Sequence, residues 1–376
     1  MPADDRKMVP PVTAIVPVYN GEETVAAAIA SVLDQDYPEI EVLAIDDGSR
    51  DGSIAVLEAL ASREARARWI SQPANVGLAR TLNRGLREST APYVLVLHQD
   101  CGLRGSDWIR RAVGLLSNEP AIGVAGRAFH DIDRMTPLER IFWVVRAHTG
   151  ATRTRPVGDP KMTLFSENKC DLFRRPELLA VGGFDESFRT GGEDQLLALR
   201  LERSGQRLLA PSDLQFDLTL GSDRRLGRGL HKELRYGQQM RSVLRRTRGR
   251  AARRSPSGHL DPRLVHRAFG VGWVVASAAL LALGLWLRSP TLLLGAVVPP
   301  VLRAAELTAR GVQERPAYAL RRRDVAVVAG LGVLMDLVYA VGLVTPDPRS
   351  PSWPPAGSPT AASGSSATSS TPGPGR

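Results

Sequence analysis

Val12-Thr13-Ala14-Ile15-Val16-Pro17-Val18-Tyr19-Asn20-Gly21-Glu22 decides the architecture: a β-rich apolar run closed by a proline and an Asn-Gly pair reads as a buried strand entering a loop. The pattern then repeats. Glu22 to Asp34 sets Val25, Ala28, Ile29, Val32 and Leu33 at helical spacing, and Ile40 to Ile45 is a second strand ended by Asp46-Asp47-Gly48-Ser49. Ser53 to Arg66 reads as a helix, Trp69-Ile70-Ser71 as a short strand, Leu78 to Glu88 as a helix and Tyr93 to Leu97 as a strand stopping at His98-Gln99-Asp100. Strand and helix in alternation imply an α/β fold with a mainly parallel sheet flanked by helices. Such sheets bind ligands at the carboxyl ends of their strands, where Tyr19-Asn20, Asp47 and Asp100 fall.

The 376 residues leave room for a catalytic domain of roughly 220–250 residues and an appendage. Lys and Arg number 49 against 39 Asp and Glu, a net charge of +10, and most of the excess lies beyond Arg224. Charge so placed suits a surface contact with anionic lipid headgroups or nucleic acid. Cys101 and Cys170 are the two cysteines and form no CxxC, so neither a disulfide framework nor a thiolate zinc site is implied. Met1 to Pro11 is polar, without the apolar core of a secretory signal, and the front of the chain is expected in the cytoplasm.

Two strand ends carry the first functional motif. A carboxylate there can accept the imide N–H of uracil or the corresponding donors of guanine, and an aromatic ring can cover the base. Pro17, Tyr19, Asn20 and Glu22 on one loop face Asp46-Asp47-Gly48-Ser49 on the next. Taken alone, Asp-Gly-Ser is equally a turn and helix cap. Together the two motifs resemble those of the family 2 glycosyltransferases of GT-A fold, in which a Pro-x-Tyr-Asn loop and an Asp-Asp-Gly-Ser turn bind the nucleotide. The resemblance covers roughly Val12 to Arg246 and implies that Asp47 orients the base, with Asp46 a turn residue. It also puts Gly77 and Arg80, in Asn75-Val76-Gly77-Leu78-Ala79-Arg80, beside the nucleotide, although Arg80 fits a solvated helix face as well.

His98-Gln99-Asp100 stands where the family carries Asp-x-Asp. A leaving nucleoside diphosphate needs a divalent cation, Mg2+ or Mn2+, held by few carboxylates and by the phosphates. The resemblance makes Asp100 the metal ligand and sets His98 and Gln99 at the nucleotide sugar. His98 replaces the first Asp. It is a ribose or phosphate contact, a nitrogen ligand better suited to Mn2+, or a bystander. Relatives often carry a further metal-binding His where this chain offers Asp217.

An inverting sugar transfer needs one carboxylate to take the proton of the acceptor hydroxyl. Gly191-Gly192-Glu193-Asp194, after Val181-Gly182-Gly183-Phe184-Asp185-Glu186, matches the family's acceptor-side segment, which makes Asp194 the base and puts Glu193 and Asn168 in the acceptor pocket. The Glu-Asp pair would also cap a helix from Gln195 to Ser204.

Past Leu220 the composition changes. Twelve basic residues, from Arg224 to Arg254, precede Phe269 to Leu287, an uncharged run of nearly bilayer-spanning length. A second apolar stretch, Leu292 to Leu307, is interrupted by Pro299-Pro300 and Arg303, and a third, Val325 to Val344, carries Asp336, which is costly inside a membrane. The Arg321-Arg322-Arg323 loop is expected on the cytoplasmic side. The pattern is juxtamembrane, and a nucleic-acid partner lacks aromatic interleaving or a known module.

The expected organisation is a polar N-terminus over 1–11, a catalytic domain over 12–246, a basic linker over 247–268, two or three transmembrane helices over 269–345 and a disordered tail over 346–376. The expected protein is a multi-pass membrane enzyme with a cytoplasmic catalytic domain. It moves a sugar from a nucleoside diphosphate sugar to a lipid-linked or cell-surface glycan acceptor. A nucleotidyltransferase would want a basic Gly-rich loop where Asn20-Gly21-Glu22-Glu23 is acidic, and a silent membrane scaffold is motivated by His98.

Overall fold

The computed structural model describes residues 9–129, 131–146, 161–163, 166–188, 192–219, 225–247 and 262–346. Gly191, Arg224, the basic residues from 248 to 254 and the tail from 347 lie outside them. The first half is a strand-helix alternation: β1 (Val12–Val18), α1 (Val25–Leu33), β2 (Ile40–Asp46), α2 (Ser53–Ala61), β3 (Ala67–Ser71), α3 (Leu78–Glu88) and β4 (Tyr93–Leu97). Then come β5 (Cys101–Leu103), α4 (Trp108–Asn118), β6 (Gly123–Ala125), β7 (Arg127–Phe129), α5 (Pro137–Arg146), β8 (Lys161–Thr163), β9 (Cys170–Arg174), α6 (Arg175–Ala180), α7 (Glu193–Ser204), β10 (Leu208–Ala210) and β11 (Gln215–Leu218).

The main sheet runs β3-β2-β1-β4-β9-β6-β10-β8, and β5-β11-β7 form a second, small sheet. β1 to β4 are mutually parallel, and β9 enters antiparallel between β4 and β6. β1 is buried along its whole length because both faces are covered. Val12, Ala14, Val16 and Val18 pack with α1 on one side, while Ile15 meets Leu82 and Leu86 of α3 on the other. The β1–β4 ladder stops at Ile15↔Val96, short of Pro17, whereas β1 stays paired with β2 to Val18↔Asp46. Proline has no N–H with which to continue a second ladder. The chain turns left of β1 to β2 and returns to its right as β4, so the strands part at a topological switch point.

Two helices differ from the sequence reading. α2 stops at Ala61 rather than Arg66, since Ser62-Arg63-Glu64 turns into β3. α7 starts at Glu193, because Gly192 takes a left-handed φ of 105° that ends the loop before it.

The C-terminal part comprises α8 (Leu226–Thr247), α9 (Pro262–Trp286), α10 (Pro290–Gly295), α11 (Val298–Glu314) and α12 (Arg322–Val344). Among the described residues, two stretches, Pro290–Glu314 and Arg322–Val344, are long and apolar enough to cross a membrane; the described apolar part of α9, Gly270–Trp286, is shorter. Pro299 and Pro300 do not interrupt the second stretch. They occupy the first turn of α11, where a missing N–H costs nothing. Asp336 is not isolated either: Arg303 Nε donates to its Oδ2 at 2.7 Å, and Trp273 Nε1 donates to the same oxygen at 3.1 Å. One ion pair thus joins α9, α11 and α12 and cancels two charges that each looked misplaced in sequence. A third core of Ile141, Phe142, Val145, Val328, Leu331 and Met335 packs α5 on α12.

Candidate nucleotide and acceptor site

Three loops meet where β1 and β4 part. Asn20 adopts a left-handed φ of 49°, with its N–H on Ser49 Oγ (2.9 Å) and its Oδ1 accepting from Arg50 N–H (2.9 Å). Glu22 Oε2 accepts from Gly52 N–H at 3.0 Å, and its own N–H donates to Asp51 Oδ2 at 3.1 Å. Both residues, expected at the nucleotide, thus use these atoms to tie the first loop to the second. Pro17 is likewise buried inside β1. Gln99 clamps Tyr19 from the fourth strand end: its Oε1 accepts from Tyr19 N–H at 2.8 Å and its Nε2 donates to Tyr19 O at 3.1 Å. A Cβ on Gly21 would stand 2.4 Å from that Oε1, so the clamp requires glycine there. Tyr19 itself is 43% exposed and free to cover a ligand.

The two aspartates of the second loop have separate positions. Asp46 is fully buried and closes its own turn, accepting from Gly48 N–H (3.1 Å) and Ser49 N–H (3.2 Å). Asp47 reaches across to the third loop, where Oδ1 accepts from Val76 N–H (2.8 Å) and Gln72 Nε2 (3.0 Å), and Oδ2 accepts from Gly77 N–H (3.0 Å). Burial pushes the Asp47 carboxyl up, against the opposing pull of the Val76 and Gly77 amides. Gly48, at φ 71°, brings the second loop into backbone contact with the third: a Cβ there would lie 2.7 Å from the Ala74 carbonyl carbon.

These loops enclose a cavity of about 410 Å³ whose wall includes Tyr19, Asp46, Ser49, Arg50, Gln72 and Asn75, a size suited to a small organic ligand. Asp46 is part of that wall, and Asp47 holds the 72–77 loop on its far side. Gln72 was missed in the sequence, although it directly follows a strand, as Asp47 and His98 do. Arg80 lies away from the wall, on the exposed face of α3, with Nε 3.8 Å from Glu186 Oε2.

Asp100 follows Gln99 at the rim. Its carbonyl accepts from Thr219 N–H at 2.8 Å, which ties it to the end of β11. Asp217 points elsewhere, paired with Arg104 Nη1 at 2.5 Å. His98 donates its backbone N–H to Lys169 O at 2.9 Å, while its Nε2 is buried with no hydrogen-bond partner. Burial holds that imidazole below its usual pKa and therefore neutral. No three His, Cys, Asp or Glu side chains converge among the described residues. A single carboxylate such as Asp100 would fit a hard cation that takes most of its oxygens from a diphosphate.

The residues expected on the acceptor side gather around α7. Asn83 fixes the Gly-Gly-Phe-Asp-Glu loop by accepting from Phe184 N–H (2.9 Å) and donating to Phe184 O (2.7 Å). Arg200 of α7 holds the same loop through the carbonyls of Gly182 and Gly183 (2.8 Å each) and Asp185 Oδ2 (2.9 Å). Asp194 caps its own helix, Oδ1 accepting from Gln195 N–H at 2.8 Å. Glu193 is buried with Oε2 unpartnered, and burial, followed by the charge of Asp194, pushes its carboxyl up to about 8. Asn168 has a strained φ of 52° and a buried Nδ2 without a partner. Asp171, missed in the sequence, is buried in β9 and pushed up to about 7 by that burial.

The sequence profile described as Glycosyl transferase family 2 matches residues 13–175. These residues form a family 2 glycosyltransferase domain. An uncharacterized glycosyltransferase of Haemophilus influenzae is 31% identical over 124 residues, 33% of this chain and 50% of the relative. The uncharacterized glycosyltransferase EpsJ of Bacillus subtilis is 30% identical over 213 residues, 54% of this chain and 58% of the relative. The chain thus spans about half the length of these curated relatives. A structure of the mannosyltransferase PcManGT from Pyrobaculum calidifontis, in complex with GDP-Man and Mn2+, matches with TM-score 0.55 at 19% identity, over 88% of this chain and 87% of that one. The glycosyltransferase domain therefore has the GT-A-like α/β fold.

Proposed function

We propose that this chain transfers a sugar from a nucleoside diphosphate sugar to a lipid-linked or glycan hydroxyl, with inversion, at the cytoplasmic face of a membrane. The observation that carries this reading is the clamp at the rim: Gln99 positions Tyr19 over the cavity, and the next residue is Asp100. Base and diphosphate positions are thereby one residue apart. Tyr19 covers the nucleoside, Asp46, Asp47 and Gly77 shape the wall around it, and Arg50 supplies positive charge beside it. A divalent cation held by Asp100 and the diphosphate would offset the charge that builds on the leaving group. The mannosyltransferase of like fold is described with GDP-Man and Mn2+, the same classes of donor and cation.

Asp194 is the base. Glu193, with its carboxyl pushed up to about 8, is protonated at neutral pH and cannot take a proton there. As Asp194 removes the hydroxyl proton, the acceptor oxygen bonds the anomeric carbon from the side opposite the diphosphate, which departs with the electron pair of the breaking C–O bond. Asn168 and Glu193 face the acceptor, each with a buried polar atom awaiting a partner. The helices beyond residue 262 supply the membrane attachment.

Membranes containing the protein should move radiolabelled sugar from a nucleoside diphosphate sugar into lipid or glycan. Asp194→Asn should slow transfer about a thousandfold while leaving nucleotide affinity intact. Undiminished turnover in that variant would remove the base assignment, and pyrophosphate release from a nucleoside triphosphate would point to a nucleotidyltransferase instead. Asp100→Ala should abolish any dependence of nucleoside diphosphate binding on Mn2+, measured by calorimetry with and without the ion.

A further inference from the structure

α8 and α12 lie side by side and point the same way. Leu230 packs in one core with Leu331 and Met335; farther along, a Cβ on Gly237 would meet Tyr339 O, and one on Gly342 would meet Leu234 O, each at 2.2 Å. At the far end Arg241 Nη1 donates to Val344 O at 2.8 Å, so a charged side chain of α8 caps the last carbonyls of α12. α8 carries Arg228, Lys232, Glu233, Arg235, Arg241 and Arg245. A helix so charged does not enter hydrocarbon. Its other side touches the catalytic domain, since a Cβ on Gly192 would lie 3.0 Å from Val243 Cγ2. The bilayer surface must therefore lie beyond the end of α12.

Little of the chain reaches past that level. α11 runs antiparallel to α12, with Arg303 on Asp336 and Leu307 against Gly332, and α9 pairs back on α10 at Gly284 and Leu293. α9 is thus parallel to α12 and aligned with it where Trp273 meets Asp336. From that point α9 outruns α12 by only about five residues, roughly 8 Å of helix, against about 30 Å of hydrocarbon. The protruding end is apolar and exposed, with Leu283, Leu285, Leu287 and Leu294 outward and Trp286 78% exposed. Arg288 is exposed at the hairpin turn and Arg245 on α8, both cations suited to lipid phosphates.

We propose that residues 281–295 insert into one leaflet of an anionic bilayer, and that none of the described helices crosses it. The inference rests on the membrane attachment above and replaces the multi-pass arrangement with a monotopic one. The end of α12 then stays on the side of the catalytic domain.

Single cysteines placed in the full chain at exposed positions, Arg63→Cys, Arg288→Cys and Pro346→Cys, test it with a membrane-impermeant maleimide on spheroplasts. The native Cys101 and Cys170 are both buried. All three should label only after permeabilisation. Labelling of the cysteine at 288 or 346 in intact spheroplasts, with that at 63 protected, overturns the one-leaflet arrangement. Recovery of the chain in the soluble fraction overturns membrane attachment itself. Leu294→Glu should weaken sedimentation with phosphatidylglycerol vesicles about tenfold and leave nucleotide affinity unchanged; unaltered vesicle binding would also count against the inserted hairpin.

Discussion

The proposed nucleotide half and the proposed acceptor half of the site are built in opposite ways. Around the cavity, Asn20, Glu22, Asp46 and Asp47 all have protein partners, and three loops are tied to one another before any ligand arrives. On the proposed acceptor side, Glu193 Oε2 and Asn168 Nδ2 are buried with none among the described residues, and His98 Nε2 is in the same state. A saturated network holds a shape, whereas an unsatisfied buried group costs free energy until a ligand pairs it. On the proposed reading the donor pocket is preorganised, and the acceptor pocket holds the unsatisfied groups that an arriving hydroxyl or sugar would pair.

That contrast can be broken by substitution. Asp47→Ala strips the acceptor from two backbone amides and Gln72 at once. It should lower unfolding free energy by about 3 kcal/mol, measured by urea denaturation, and weaken nucleotide binding through the loosened third loop. Gly48→Ala forces a left-handed residue and a Cβ 2.7 Å from backbone. Its cost should be about 1–2 kcal/mol, with reduced donor affinity and unchanged response to acceptor concentration. If either variant left both stability and donor binding untouched, the preorganised half would lose its basis.

The smallest effect tests the other half. Folding raises the Glu193 carboxyl from 4.5 to about 8, so the stability associated with its neutral form is whole below 4.5 and is lost as pH rises through 8. Glu193→Gln cannot ionise. Its melting temperature should match the wild type near pH 5 and exceed it by a few degrees at pH 9; parallel curves across that range would mean that Glu193 is not held neutral.

Local elements were legible because their signals are local. β1, α3 and β4 appear with the boundaries that periodicity and turn residues imply, since a strand buried on both faces and a helix with a one-sided apolar stripe each write their pattern into consecutive residues. The family resemblance was legible for the same reason: carboxylates, an aromatic and glycines stand at successive strand ends. Asp46 and Asp47 mark the limit. Both sit at the end of β2, and adjacent side chains leave a strand on opposite sides, so telling which one ties the 71–77 loop and which closes its own turn required the fold.

The order of elements, the α/β class, the apolar helices and the residue types of the site were all determined by the sequence itself. Tertiary structure alone decided which of those residues spend their polar atoms on the protein and which keep them for a ligand. It also paired Arg303 with Asp336 and laid α8 along α12. The physical reason is range: propensity and periodicity act over a few residues, whereas burial, hydrogen-bond satisfaction and charge pairing depend on partners 30 to 100 positions away.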